Sequence, residues 1–433
     1  MRVWVAAVLT ALVVPGVASA GTVFVLDGGG WGHGVGMSQW GAEGYALHGY
    51  DWQRIVAHYY PHTSIELRRA TQVRILLREN QSRVRISSPA PYLVVDAKGR
   101  KVHLKSPVVV TTHFRKLKLP LRFEAGSQPL TLGGDGYRGD FVVRHKAGGL
   151  MVVNVLPLDR YLRGVVPWEV PVGWQTAAYE AQAVAARTYT LATLHPGQDF
   201  DLYPDDRDQM YGGIRAERPE TNKAIGATAG RVLTYGGHVI VAYYSSSSGG
   251  RTAAVQDGFP GLQPEPYLVS VPDPYDTISP HHVWPTQALT ATYLAKKLGL
   301  RGVRDAVTKV DASGRVDDVR FRTARGWRVL TGVALREKLD LRSTYFRLGS
   351  LSLDQPARRA LLASSKVRVT GAVQGLRHVQ LERQTRDGAW RTAAYVHPRN
   401  GRFVVTLKLQ GPLKLRLVCE GVATAPISFR RAK

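Results

Sequence analysis

The sequence predicts an α+β core, with mixed sheets around an alanine-rich helix, followed by a C-terminal all-β immunoglobulin-like sandwich. Three observations carry this. Residues 71–155 cluster β-formers between turns, as in Val73-Arg-Ile-Leu-Leu, Val84-Arg-Ile and Phe141-Val-Val-Arg-His. Residues 175–194 are one long alanine-rich run that stops at His195-Pro196-Gly197. Residues 355–433 alternate apolar with polar, and turns such as Asp387-Gly388 and Asn400-Gly401 recur at sandwich spacing.

Taken in order, residues 1–20 read as a secretory signal. Arg2 supplies the positive start, residues 3–14 an apolar run, and Ala18-Ser19-Ala20 a small-residue cleavage site. An uncleaved anchor is the alternative reading, for which the run is short. The chain is thus expected to be secreted and to act in the cell wall or elsewhere outside the cytoplasm, with no transmembrane segment after cleavage. Residues 21–353 form the core in three parts. Residues 21–66 hold a glycine-rich block and a helical stretch over 38–60, in which Ala42, Tyr45, Ala46, Ile55, Val56 and Tyr59 recur at helix-like intervals and Gly49 interrupts. Residues 67–155 are strand-rich. Residues 156–353 hold the long helix, a loop-rich region with short strands at 231–235 and 239–245, a helix near 286–298, and two or three further strands. Residues 355–433 are the sandwich.

The chain has 58 Lys and Arg against 33 Asp and Glu, a net charge of +25, or +24 once residues 1–20 are removed. The last 79 residues alone hold 16 basic and 3 acidic side chains. Such charge attracts polyanions. For an exported chain the expected partners are anionic wall polymers or lipid headgroups, not nucleic acid, for which no motif is present. A basic proteome would give the same excess without any binding role. Cys419 is the only cysteine, which excludes an intrachain disulfide and a multi-cysteine zinc site.

The residues that carry chemistry fall in four places. The first is the block Gly30-Trp-Gly-His-Gly-Val-Gly-Met-Ser-Gln-Trp-Gly-Ala42. Alternate glycines let the backbone approach a ligand closely. His33 is free to project between two of them. Ser38 and Gln39 stand at a helix start, and Trp31 and Trp40 offer flat faces on which sugars stack. The second is Leu162-Arg-Gly-Val-Val-Pro-Trp-Glu-Val-Pro171. Here Glu169 is surrounded by Pro167, Trp168, Val170, Pro171 and Trp174. Burial raises a carboxyl pKa, and a carboxyl that keeps its proton near neutrality serves as the acid in glycosidic-bond cleavage. A surface turn residue is the other reading. The third is Asp205-Asp-Arg-Asp-Gln-Met-Tyr-Gly-Gly213, with Asp208, Gln209 and Tyr211 as candidates. The fourth is Tyr243-Tyr-Ser-Ser-Ser-Ser-Gly-Gly-Arg-Thr252, with Ser246 and Ser247 as candidates. A serine hydrolase is the rival class, but no G-x-S-x-G elbow is present.

These motifs together resemble the SpoIID/LytB family, through Gly32–Ala42, Leu162–Pro171, Ala181-Gln-Ala-Val-Ala-Ala-Arg-Thr-Tyr189, Asp208–Gly213 and Ser247-Ser-Gly-Gly-Arg-Thr252. The resemblance covers most of residues 21–353. It implies a peptidoglycan lytic transglycosylase that cleaves wall glycan strands stripped of peptide, leaving 1,6-anhydro ends, with Glu169 as acid and base. The family's other branch implies a non-catalytic enhancer of a wall amidase, a further partner. The groove would be lined by Trp31, His33, Ser38, Gln39, Trp168, Arg187, Asp208, Gln209, Tyr211, Ser246 and Ser247. For Arg187 a core ion pair is the competing reading. Two departures stand out. The Gly-His-Gly-Val-Gly-Met-Ser-Gln block, near the C-terminus of the domain in most members, here opens the chain after residue 20, and is expected to dock in the same groove by permutation. The cysteine-containing zinc site of the sporulation member has no counterpart, so no metal and no other cofactor is carried over.

Overall fold

The computed structural model describes residues 21–146, 148–195, 197–355, 366–408 and 412–429. The expected signal segment, residues 1–20, lies outside them. Among the described residues no helix is long and apolar enough to cross a membrane. Among the described residues the architecture is α+β and mostly β, with seven sheets and a small set of helices. The chain divides into two compact units, one of residues 29–283 and one combining the stretch up to Gly28 with residues 284–433.

In the first unit, an antiparallel six-stranded sheet runs in the order Gln72–Gln81, Gly149–Pro157, Asp140–Lys146, Leu121–Glu124, Tyr92–Val95, Lys101–Leu104. It shares a core with a four-stranded sheet built from Asp135–Tyr137, Leu130–Leu132, Val84–Ser87 and Val108–Val110. A second core collects the helices Gln39–Leu47 and Trp52–Tyr59 and the strand Arg231–Tyr235. The expected stretch over 38–60 is therefore two helices, capped by Ser38 and Asp51, with Gly49 at φ 81° between them.

The helix Thr176–Thr193 joins the two cores. Tyr179, Ala183 and Ala186 pack in the first, and Ala181, Val184 and Ala185 in the second. A helix buried on most sides needs small residues where neighbours approach, and this explains its alanines.

In the second unit, the strand Val23–Gly28 is covered on both faces. Val25 points into one core, with Leu351, Val369, Leu381 and Leu415, while Phe24 and Leu26 point into another, with Val319, Phe321 and Leu348. The period-two alternation of a strand produces this split. The sheet order is Gln287–Thr290, Val23–Gly28, Phe346–Leu353, Lys366–Gln374, Arg402–Lys408. Against it lies a second sheet of Trp390–Tyr395, Gln380–Gln384, Leu413–Cys419, Val422–Ala423 and Ile427–Phe429.

Two local expectations differ from the structure. The helix expected near 286–298 is a strand, Gln287–Thr290, and then a shorter helix, Ala291–Leu298. Pairing with Val23–Leu26 claims the first residues, and the Thr290 hydroxyl then caps the helix at Tyr293 N–H. The helix Gly332–Leu339, not foreseen, follows the strand Gly326–Thr331 and is capped the same way by Thr331.

Because Lys366–Gln374 pairs directly with Phe346–Leu353, a chain ending at residue 354 exposes an unpaired edge and bares Val25, Leu351 and Leu353. Such edges template aggregation. We expect this truncation to lower the melting temperature and to bind a hydrophobic dye; an unchanged melt would show that the sheet tolerates the cut.

Candidate functional site

Gly30, Gly32, Gly34 and Gly36 all take positive φ, at 78°, 106°, 75° and 69°. A Cβ on Gly36 would lie 2.0 Å from the Tyr243 carbonyl oxygen, so no side chain fits there. The block folds against the 243–247 stretch. Trp31 and Ser247 exchange backbone hydrogen bonds, and the N–H groups of Met37 and Trp40 donate to the carbonyls of Tyr243 and Ser246. His33 projects from the block. Its Nδ1 accepts from Val35 N–H at 3.0 Å, which places the proton of a neutral ring on Nε2. The ring packs against Phe259 and Tyr243, with centroids 4.8 and 5.8 Å away.

Ser38 caps the helix Gln39–Leu47. Its hydroxyl accepts from Gly41 N–H at 3.1 Å and donates to Asp276 Oδ1 at 2.9 Å. The cap sets the first turn, and from that turn Gln39 Nε2 reaches Glu169 Oε2 at 3.4 Å.

Glu169 closes the short helix Val166–Glu169, whose first turn tolerates Pro167 because no intrahelical N–H is needed there. The following turn is pinned by Tyr179, whose hydroxyl donates to the Pro171 carbonyl and accepts from Trp174 N–H. Two further ties hold the block to this segment. Gln175 N–H donates to Glu43 Oε2 at 2.9 Å, and the Trp40 and Trp174 rings meet edge to face at 5.0 Å. The third motif interlocks with the second through glycines. Gly212 N–H donates to the Gly164 carbonyl. A Cβ on Gly164 would lie 2.6 Å from the Tyr211 ring, and one on Gly212 1.9 Å from Trp168 Nε1.

Glu169 is partly buried. Burial raises its pKa, and hydrogen bonds from Gln39 and from the Met210 backbone pull it back in part. It opens onto a cavity of about 440 Å³. His33, Tyr243 and Phe259 form one stretch of its wall, Tyr189 and Tyr244 another, and residues 206–210 a third. Burial, then the charges of Asp208 and other neighbours, push the Tyr189 phenol up to about 12. The wall thus offers protonated phenols beside one acid whose pKa burial raises. Among the described residues no group of three or more His, Cys, Asp or Glu side chains is placed to hold a metal ion.

The candidates separate into two groups. His33, Asp208 and Gln209 share the cavity with Glu169, Gln39 touches its carboxylate, and Trp168 stands beside it, 52% exposed. The others do not line that cavity. Ser38 and Ser247 are buried and both donate to Asp276. Ser246 serves through its carbonyl, on Trp40 N–H. Tyr211 is buried and donates to Asn154 Oδ1 at 2.8 Å. Trp31 packs edge to face on His281. Arg187 is fully buried, donating to Asp159 at 2.8 Å and to the carbonyls of Ile225 and Arg231. Its core ion pair is the reading the geometry favours. Sequence reasoning quoted Tyr189, Met210, Tyr243 and Tyr244 within its motifs but named none of them as a site residue, and it did not mention Phe259.

Residues 146–235, which hold Glu169, the long helix and residues 208–213, match the family model described as SpoIID, stage II sporulation protein. This segment belongs to the SpoIID family. The amidase enhancer of Bacillus subtilis is 34% identical over 170 residues, covering 39% of this chain and 23% of that protein. Stage II sporulation protein D of Bacillus subtilis is 29% identical over 212 residues, covering 45% of this chain and 61% of that protein. Its counterpart from Bacillus amyloliquefaciens is 30% identical over 212 residues, with 45% and 60% covered. The chain therefore spans less than two thirds of each of these relatives. The glycine-histidine block and the Tyr243–Thr252 motif lie outside the matched segment.

Beside Asp276 sits a second buried carboxylate, Asp273, which accepts from Tyr59 and Ser248 hydroxyls at 2.7 Å each. Burial first, then the Asp276 charge, push its pKa up to about 6. The folded state therefore holds this proton more tightly than the unfolded chain. Its stabilising contribution is full below about pH 4 and is lost as pH rises through about 6. We expect the stability of the native protein relative to Asp273→Asn to fall by roughly 2 kcal/mol between pH 4 and 7 in urea titrations; a constant difference would contradict the assignment.

Proposed function

We propose that the chain is an exported wall enzyme, a peptidoglycan lytic transglycosylase acting on peptide-free glycan, with Glu169 as its single acid and base. The observation that carries the proposal is the pairing of Gln39 with a partly buried Glu169 whose pKa burial raises, at the wall of a cavity lined by aromatic and phenolic side chains. In this reaction Glu169 gives its proton to the glycosidic oxygen as the bond to the anomeric carbon breaks. The 6-hydroxyl of the same sugar then bonds to that carbon, and its proton passes to the Glu169 carboxylate. The acid is restored, a 1,6-anhydro ring is left, and no water is consumed. One carboxyl suffices for both steps. His33 would position the sugar by a hydrogen bond, and the aromatic faces of Trp168 and Phe259 would stack on it.

Two features support the setting. The SpoIID-family segment contains Glu169, and the basic C-terminal residues 355–433, at a net +13, suit anionic wall polymers. The permuted docking of the glycine-histidine block is part of the same proposal, since that block supplies Gln39 and His33.

Mass spectrometry of a glycan digest decides between an enzyme and a non-catalytic enhancer of a wall amidase. We expect anhydro-muramyl ends from the native protein and their loss by at least 100-fold, order of magnitude, in Glu169→Gln, with glycan binding retained. No anhydro ends from either protein would favour the enhancer. The pH profile follows from the raised acid. Activity should fall as pH rises through the Glu169 pKa, because only the protonated form donates. The Gln39 hydrogen bond lowers that pKa, so Gln39→Leu should move the alkaline limb to higher pH; a shift in the opposite direction would refute the role of Gln39.

A further inference from the structure

Tyr244 forms part of the wall of the Glu169 cavity, yet the reaction outlined above gives it no defined task. Its hydroxyl oxygen accepts from Gln209 Nε2 at 2.8 Å. The opposite orientation of the Gln209 amide is disfavoured. The Ala186 carbonyl, which can only accept, lies 3.4 Å from Nε2, and the Tyr161 hydroxyl, whose proton has no other acceptor among the described residues, lies 3.4 Å from Oε1; the Thr190 hydroxyl, 2.8 Å from Oε1, also lies 2.8 Å from the Ala186 carbonyl and fits either orientation. The nitrogen therefore faces Tyr244 and donates to it. A phenol that accepts a hydrogen bond in this way directs its own proton elsewhere. Among the described residues that proton finds no acceptor, Gln209 being the sole hydrogen-bond partner of the hydroxyl. Burial also keeps the phenol protonated.

We propose that the Tyr244 hydroxyl, aimed by Gln209, donates a hydrogen bond to an oxygen of the sugar seated against Glu169. It is thus a substrate-touching residue, and Gln209 is a positioning residue that acts through it. The chain Tyr161 to Gln209 to Tyr244 is a rail of oriented donors that ends in the cavity. Its partner is an uncharged acceptor oxygen, a hydroxyl, ether or acetamido oxygen of a glycan. This inference rests on the reading of the Glu169 cavity as a glycan site.

The test is made in the Glu169→Gln background, so that binding is measured without turnover. The probe is a peptide-free glycan tetrasaccharide released from cell wall, titrated by calorimetry into the full chain. Adding Tyr244→Phe, which keeps the ring and removes the hydroxyl, should weaken binding roughly tenfold with the melting temperature unchanged. Adding Gln209→Met instead keeps the Tyr244 hydroxyl but releases its orientation, and should weaken binding by about threefold. Should Tyr244→Phe fail to fold, the Gln209→Met arm still decides, since equal binding there overturns the proposal. Equal binding by folded Tyr244→Phe overturns it as well, and leaves the glycan reading standing. If the Glu169→Gln protein itself binds no tetrasaccharide, the glycan reading falls and takes the Tyr244 proposal with it.

Discussion

The carboxylate of Asp276 accepts hydrogen bonds from the Ser38 and Ser247 hydroxyls and from the backbone N–H groups of Ser248 and Gly249, and its Oδ2 lies 2.9 Å from His282 Nδ1. Together with Asp276 these partners bring three stretches of chain to one point, around residues 38, 247–249 and 276–282. A buried carboxylate is costly unless its lone pairs are satisfied, and here each oxygen has several donors. The arrangement is all or nothing. Moving any one stretch leaves a buried charge short of partners, so the three are held in one register. Gln39 follows the Ser38 cap directly, so its position over Glu169 depends on this anchor. The serines read from the sequence as possible site residues are the fastening of the site, not its surface.

From that anchor the acid's environment follows. The glycine-histidine block and the Glu169 segment are tied by a side-chain pair, a backbone-to-carboxylate bond and a tryptophan pair. Burial and hydrogen bonding act on Glu169 in opposite directions, and burial is the larger. One side-chain amide and one backbone N–H offset part of the effect of burial.

Much of this was legible in the sequence because the signals were local. Alternate glycines from 30 to 36 announced a backbone that no other residue allows, and all four have positive φ. The alanine run from 175 to 194 announced a helix with close neighbours on both sides. The bulk beside Glu169 in the sequence is not what encloses it: Trp168 stays 52% exposed, and the cavity walls come from other segments. What was hidden depended on long-range pairing. Nothing near residues 273 and 276 marks them as partners of Ser38, more than 230 residues earlier. Tyr189, Tyr243 and Phe259 look like core aromatics until the fold brings them around one cavity. Residues 287–290 carry a helix-compatible pattern and become a strand only because Val23–Leu26 offers them an edge. Arg187 and Tyr211 were assigned by motif position, and neither lines the Glu169 cavity, because their polar groups are committed to Asp159, buried carbonyls and Asn154.

The account stands on the protonation state of one carboxyl. Carbon-13 NMR of the Glu side-chain carboxyls, with Glu169 identified by loss of its signal in Glu169→Gln, measures that state directly across pH. The predicted result is a titration above the ordinary glutamate range of about 4.3, with the other exposed glutamates close to it. A Glu169 signal that titrates at or below that value would show a carboxylate already ionised at neutrality and would contradict the proposed acid.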